Sequence, residues 1–259
     1  MSDDNATWIA LRRLTAARIG LRRSGASLAT APLLDFRLAH ARARDAVHAP
    51  LDEVRLGAEL AQLGVPVITV ASATADWQQH LMRPDLGRML APDATAKLAP
   101  HRGEYDLTVV VADGLSARAV QSHARPVLAA LLPILRREHW KVAPIVIVRH
   151  GRVAVGDAIA TELGATCVAM LIGERPGLTA PDSMGAYLTW QPGPQTTDAG
   201  RNCISNIRPE GVGTADAALT IAHLLRAMRQ RRISGVQLKD DSERAFVATI
   251  EADKSGSTS

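Results

Sequence analysis

Four short apolar runs constrain this fold more than any other feature: "VPVITV" (65–70), "LTVVVA" (107–112), "APIVIV" (143–148) and "TCVAMLI" (166–172). They are rich in β-branched residues and do not alternate between apolar and polar. A strand with one wet face alternates with a period of two. A strand that does not is buried on both faces, as in a parallel sheet with helices on either side. The segments 114–139, 155–163 and 213–231 read as helices. Alternation of strand and helix predicts an α/β fold, a mostly parallel Rossmann-like sheet flanked by helices.

The first third has a different texture. Residues 7–20, 31–48 and 53–63 read as helices. In the second, Leu33, Leu34, Leu38 and Ala41 recur at three- and four-residue steps, and Gly64 stops the third. The expected organisation is an N-terminal helical arm over 1–62, an α/β domain over 63–237 and a C-terminal tail over 238–259. The last stretch, "DKSGSTS", is polar enough to read as disordered.

Composition narrows the function classes. No run approaches the roughly 18 apolar residues of a membrane span, and the start lacks the basic and apolar regions of a secretory signal. The two cysteines, Cys167 and Cys203, are too few for a disulfide framework and lack metal-ligand spacing. A formal charge of +4 raises the question of nucleic acid, since "LRRLTAARIGLRRS" concentrates arginine at 12, 13, 18, 22 and 23. No aromatic residue is interleaved to stack on bases, so a solvated or subunit-facing helix edge is the better reading.

Ligands of open parallel sheets gather beyond the carboxyl ends of the strands. Three glycine-bearing turns fall there: Asp113-Gly114, Arg149-His150-Gly151-Arg152 and Gly173-Glu174-Arg175. Polar loops are normal in α/β folds, and Asp113 or Ser116 also fits a helix cap. The sequence has no dinucleotide glycine fingerprint, no P-loop and no nucleophile elbow. Its histidines are scattered, without zinc spacing. A Ser116–His150–Asp113 arrangement can be drawn, but nothing in the spacing requires it. The residues describe a ligand-binding edge without a catalytic constellation. Further on, "RNCISNIRPEGV" places Cys203 where it reads as a buried small apolar side chain, or as a close approach to a flat ligand. In "RPDLGRML", Arg83 and Arg88 read as outward-facing partners for carboxylates across an interface.

Taken together and in order, "RPDLGRML", "VVADGLSARAV", "VRHGRVAVGDAIATELGA", "LIGERPGL" and "RNCISNI" resemble the small subunit of ethanolamine ammonia-lyase. The arm, "LRRLTAARIGLRRSG", is similar to that subunit's helical arm. The resemblance covers residues 8–237. It implies an ammonia-lyase that converts ethanolamine to acetaldehyde and ammonia with adenosylcobalamin. A large TIM-barrel subunit would carry the substrate and the radical steps, while the small subunit helps enclose the cofactor. By the family's motifs, the cofactor contacts fall on Val153, Glu174 and Cys203. Glu174 would accept hydrogen bonds from corrin amides; Val153 and Cys203 would offer apolar or backbone contact. The D-x-H-x-x-G motif of base-off cobalamin enzymes is absent, so the cofactor is expected base-on, with no metal ligand from this chain.

The resemblance also implies αβ pairs assembled into a higher hetero-oligomer, with no nucleic acid and no membrane. Enterobacterial members carry a longer N-terminal extension linked to microcompartment packing. This chain starts almost at the arm, so a cytoplasmic enzyme is expected, with a microcompartment as the alternative. The competing reading of the whole chain is a free-standing small-molecule-binding α/β module.

Overall fold

The computed structural model describes residues 3–15, 17–21 and 23–240. Residues 241–259, on which the expectation of a disordered terminus falls, lie outside them. Helix α1 (Asp3–Arg12) leads to a minimal hairpin, β1 (Arg23–Ser24) and β2 (Ser27–Leu28). Two helices follow, α2 (Thr30–His48) and α3 (Glu53–Ala61). The helix expected over 7–20 therefore ends eight residues early. The chain folds back on α1 instead: Gly20 adopts φ +56°, and a Cβ there would lie 2.3 Å from the Trp8 ring. Arg12 Nε donates to the Ile19 carbonyl at 2.9 Å, and Arg12 also donates to the Gly20 carbonyl, so this arginine closes the turn.

The body begins with β3 (Val67–Ala71), then α4 (Trp77–Met82), α5 (Ala94–Leu98), β4 (Tyr105–Ala112), α6 (Ala117–Arg137), β5 (Ile145–Arg149), α7 (Val155–Leu163) and β6 (Ala165–Gly173). All four predicted strands and all three predicted body helices are present, with ends shifted by a few residues at most. Two further strands, β7 (Met184–Trp190) and β8 (Asn202–Ile207), precede α8 (Thr214–Arg231). One sheet runs β3-β5-β4-β6-β7-β8. Its first four strands are parallel. The last two are antiparallel, so the sheet is mixed.

The sheet divides two apolar layers. On one face Leu107, Val109, Val111, Ile145, Ile147 and Leu171 pack with α3, α6 and α8 residues, among them Leu56, Leu128 and Leu225. On the other, Val110, Val146, Val148, Val168 and Met170 pack under α5 and α7, against Leu98 and Ile159. Burial on both faces is why these strands do not alternate. Each fully buried Val or Leu contributes about 1.5–3 kcal/mol, which makes this double layer the main source of stability.

The connection after β4 crosses one face through α6, and the connection after β5 crosses the other through α7. The two chains part at the carboxyl ends of neighbouring strands. Such a switch point opens a crevice in an α/β sheet.

Candidate functional site

The crevice is braced from beneath by Asp113, only 2% exposed. Its carboxylate accepts the backbone N–H of His150 at 2.9 Å and of Gly151 at 3.1 Å. The turn after β5 is thereby tied to the end of β4. Burial raises the Asp113 carboxyl to about 7, against the pull of those backbone donors. His80 secures the other side: its Nε2 lies 2.6 Å from the Gly114 carbonyl, and its own carbonyl accepts from Arg152 Nη2 at 3.0 Å. Burial lowers His80 to about 4, so the ring is neutral at pH 7 and Nε2 carries the proton that it donates to Gly114. Gly114 itself has φ +57°, and a Cβ there would lie 2.3 Å from the Gly173 carbonyl. Only glycine fits between the ends of β4 and β6.

These contacts dispose of the Ser-His-Asp arrangement. Asp113 holds the backbone of His150 and not its ring, while Ser116 Oγ donates to the Pro181 carbonyl at 3.3 Å. Ser116 caps α6, accepting from Ala119 N at 3.4 Å, as the capping reading has it.

Above the brace lies a cleft of about 300 Å³ lined by Gly114, Leu115, Arg152, Val153, Ile172, Gly173, Glu174, Arg175 and Tyr187. Val153 and Glu174, far apart in sequence, therefore share one wall-and-floor arrangement. Cys203 does not line it. It sits on β8 directly across from Tyr187 of β7. The burial expected of Cys203 is overturned: the residue is exposed, and Cys167 is the buried cysteine. Cys203 lies on the exposed side of the edge strand, with Ser205, which leaves the thiol open. Partial burial still pushes it up, with the Glu174 carboxylate acting in the same direction.

The Glu174 carboxylate is already engaged. It accepts from the hydroxyls of Ser183 and Ser205 and from the backbone N–H of Asn206 at 3.2 Å. A carboxylate offers about four acceptor positions, so one remains for a ligand. Arg152 brings an Nε that is buried without a hydrogen-bond partner at the same cleft.

The motif around 83–90 contributes from behind. Arg152 N donates to the Gly87 carbonyl at 2.7 Å, and a Cβ on Gly87 would meet the Arg152 side chain at 2.7 Å. Arg83 pairs within the chain, to Asp85 at 2.6 Å, while Arg88 is exposed. Sequence reasoning missed His80, a lone histidine on a short helix, and nothing in the local pattern marks it. Its partner Gly114 lies 34 residues away.

A larger hollow, about 770 Å³, lies between α7 and the loop before β8, with Asp157 and Arg201 in its lining. Those two charges already satisfy each other in a bidentate pair at 2.6 and 2.7 Å. The smaller cleft is the better site, because loops from three strand ends converge on it and its Arg152 Nε is buried without a partner.

Among the described residues no group of His, Cys, Asp and Glu is disposed to hold a metal ion. The family model of the ethanolamine ammonia-lyase light chain (EutC) matches residues 5–239. The chain is 51% identical to the ethanolamine ammonia-lyase small subunit of Azotobacter vinelandii, over 96% of this chain and 93% of that one. It is 48% identical to that of Pseudomonas fluorescens Pf-5, over 98% and 93%. It is 52% identical to that of Ralstonia nicotianae, over 91% and 89%. The chain belongs to the ethanolamine ammonia-lyase light-chain family.

Proposed function

We propose that this chain is the small subunit of an ethanolamine ammonia-lyase and that its strand-end cleft forms one side of an adenosylcobalamin site. The observation that carries the reading is the convergence of Val153 and Glu174 on that cleft, with Cys203 one strand further out. The chemistry fits a corrin. Val153, Leu115 and Ile172 supply apolar contact for the macrocycle; Glu174, Arg152, Arg175 and Tyr187 supply a polar rim for its amide fringe. Cobalamin is much larger than 300 Å³, so a second chain must close the site.

When bound, adenosylcobalamin would supply the radical chemistry for converting ethanolamine to acetaldehyde and ammonia. The residues of this chain bind and orient the cofactor and keep water from its edge; substrate and proton handling belong to the large TIM-barrel subunit. Glu174 offers its remaining acceptor position to an amide N–H, and Val153 packs against the ring.

The arm within 1–62 is the surface for the large subunit. Leu34 and Leu38 of α2 are 57% and 52% exposed, and Met82 and Met89 are exposed as well. Obligate interfaces bury such apolar surface. In this reading αβ pairs assemble further, residues 63–237 contact the cofactor and 238–259 are a tail. No helix among the described residues is long and apolar enough to cross a membrane.

The test is co-expression with the large subunit from the same genome, then adenosylcobalamin titration and an acetaldehyde assay on each chain and on the pair. Activity and tight cofactor binding in the pair only are expected. Two folded chains that neither associate nor turn over ethanolamine would leave a free-standing binding module as the better account.

A further inference from the structure

Strand β8 carries an irregularity beside the cleft. Met184 of β7 pairs with Ile207, and Ala186 pairs with Ile204. Gly185 alone therefore faces two residues, Ser205 and Asn206, which is the two-against-one count of a β-bulge. Asn206 adopts φ +61°, a left-handed conformation that asparagine tolerates and β-branched residues resist. The Glu174 carboxylate reaches over Gly185 to this bulge: a Cβ at 185 would lie 3.0 Å from Glu174 Oε1. It accepts from the Ser205 hydroxyl and from the Asn206 backbone N–H within the bulge. From the far side Arg208 Nε donates to Asn206 Oδ1 at 2.8 Å, and Arg208 Nη1 to the Thr179 carbonyl at 3.0 Å.

We infer that Ser205 and Asn206 are positioning residues of the cofactor cleft: a bulge locked by Glu174 sets where Cys203 and the free acceptor position of Glu174 present themselves. This rests on the cobalamin site proposed above. Bulges next to binding sites re-aim side chains in this way. Here the bulge fixes both partners at once, because the carboxylate that holds it is itself a cleft residue. A side chain at Gly185 would crowd the carboxylate.

Two readouts on the two-subunit complex test the inference. The first is adenosylcobalamin affinity by absorbance titration. The second, independent of cofactor, is the rate at which Cys203 of the cofactor-free complex reacts with a disulfide reagent. Ser205→Ala loses one hydrogen bond to the carboxylate and is expected to weaken cobalamin binding about tenfold and to speed the thiol reaction. Ser205→Thr keeps the hydroxyl and restores both. Asn206→Gly, which keeps the left-handed backbone, stays closer to wild type than Asn206→Val, which strains it. Because Asn206→Val is also the variant most exposed to misfolding, the Ser205 pair decides the matter. Wild-type affinity and thiol rate in Ser205→Ala would overturn the inference and leave Glu174 a simple ligand. A wild-type complex that binds no cobalamin would overturn the proposed function, while the thiol rates would still decide whether the bulge positions Cys203.

Discussion

Strand β4 is buried at every position from Leu107 to Ala112, with helices over both faces. Strand β8 alternates: Ile204 and Ile207 face the core, while Cys203 and Ser205 stand in the open. Both lie in the same sheet, and the difference is in what covers them. The centre of the parallel half, β4 and most of β5 and β6, is a closed sandwich whose side chains are committed to packing. The antiparallel half has α8 on one face, and on the other Cys203 and Ser205 of β8 are exposed. The sandwich supplies rigidity and the open edge carries the proposed site, a division that fits sites built on loops and edges over a stiff scaffold.

The sharpest way to break this comparison is to cut the strap between the halves. Arg201, just before β8, pairs with Asp157 on α7, with side chains 3% and 8% exposed. Arg201→Ala leaves a buried carboxylate unpaired and is expected to cost about 3–5 kcal/mol in urea unfolding. Replacing both partners with apolar residues recovers much of the loss. A cost near zero would mean that the edge strands fold independently of the sandwich.

The brace under the cleft predicts a pH signature of comparable size. Asp113 moves from 3.8 to about 7 on folding. The native state then holds more protons, so its contribution is full below the lower value and is lost as pH rises through 7. His80 moves from 6.5 to about 4. Its contribution is full above 6.5 and is lost as pH falls through 4. Between pH 4 and 6.5 the two slopes oppose each other, each amounting to about 3 kcal/mol. The wild-type urea midpoint is expected to be flat there as far as these groups decide it. Asp113→Asn removes one slope, so its midpoint rises with pH over the same range. An Asp113→Asn profile parallel to wild type would show that the carboxylate titrates normally.

The smallest effect sharpens the comparison at one contact. Ser116→Ala removes the cap of α6 and is expected to cost about 1 kcal/mol by thermal unfolding. A clearly larger loss would assign weight to the Ser116–Pro181 bond, which ties the sandwich to the loop entering β7.

Legibility follows the same divide. "IVIV" at 145–148 can hardly be anything but a doubly buried strand, and α7 ends at Leu163 because Gly164 takes φ +76° as its cap. Strand β7 begins with Gly185 near its start, and β8 offers only "NCISNI", too short and polar to stand out from a loop. What makes them strands is the edge of β6, which the local sequence does not show. The end of α1 at Arg12 likewise depends on Trp8 receiving Gly20. In the site, the polar turns at 113 and 174 were visible at strand ends, and Val153, Glu174 and Cys203 came from the family motifs. The roles of Asp113 and His80 as braces were not visible, because each acts through backbone atoms of distant turns.

The bulge at Ser205–Asn206 has a consequence for the life of a newly made copy. Strand β8 is an outer edge of the sheet, the kind of surface along which stray chains zip together. A left-handed residue near the end of that edge interrupts the regular ladder that an intruding strand would need. The same kink thus leaves a stray copy less regular edge to pair with.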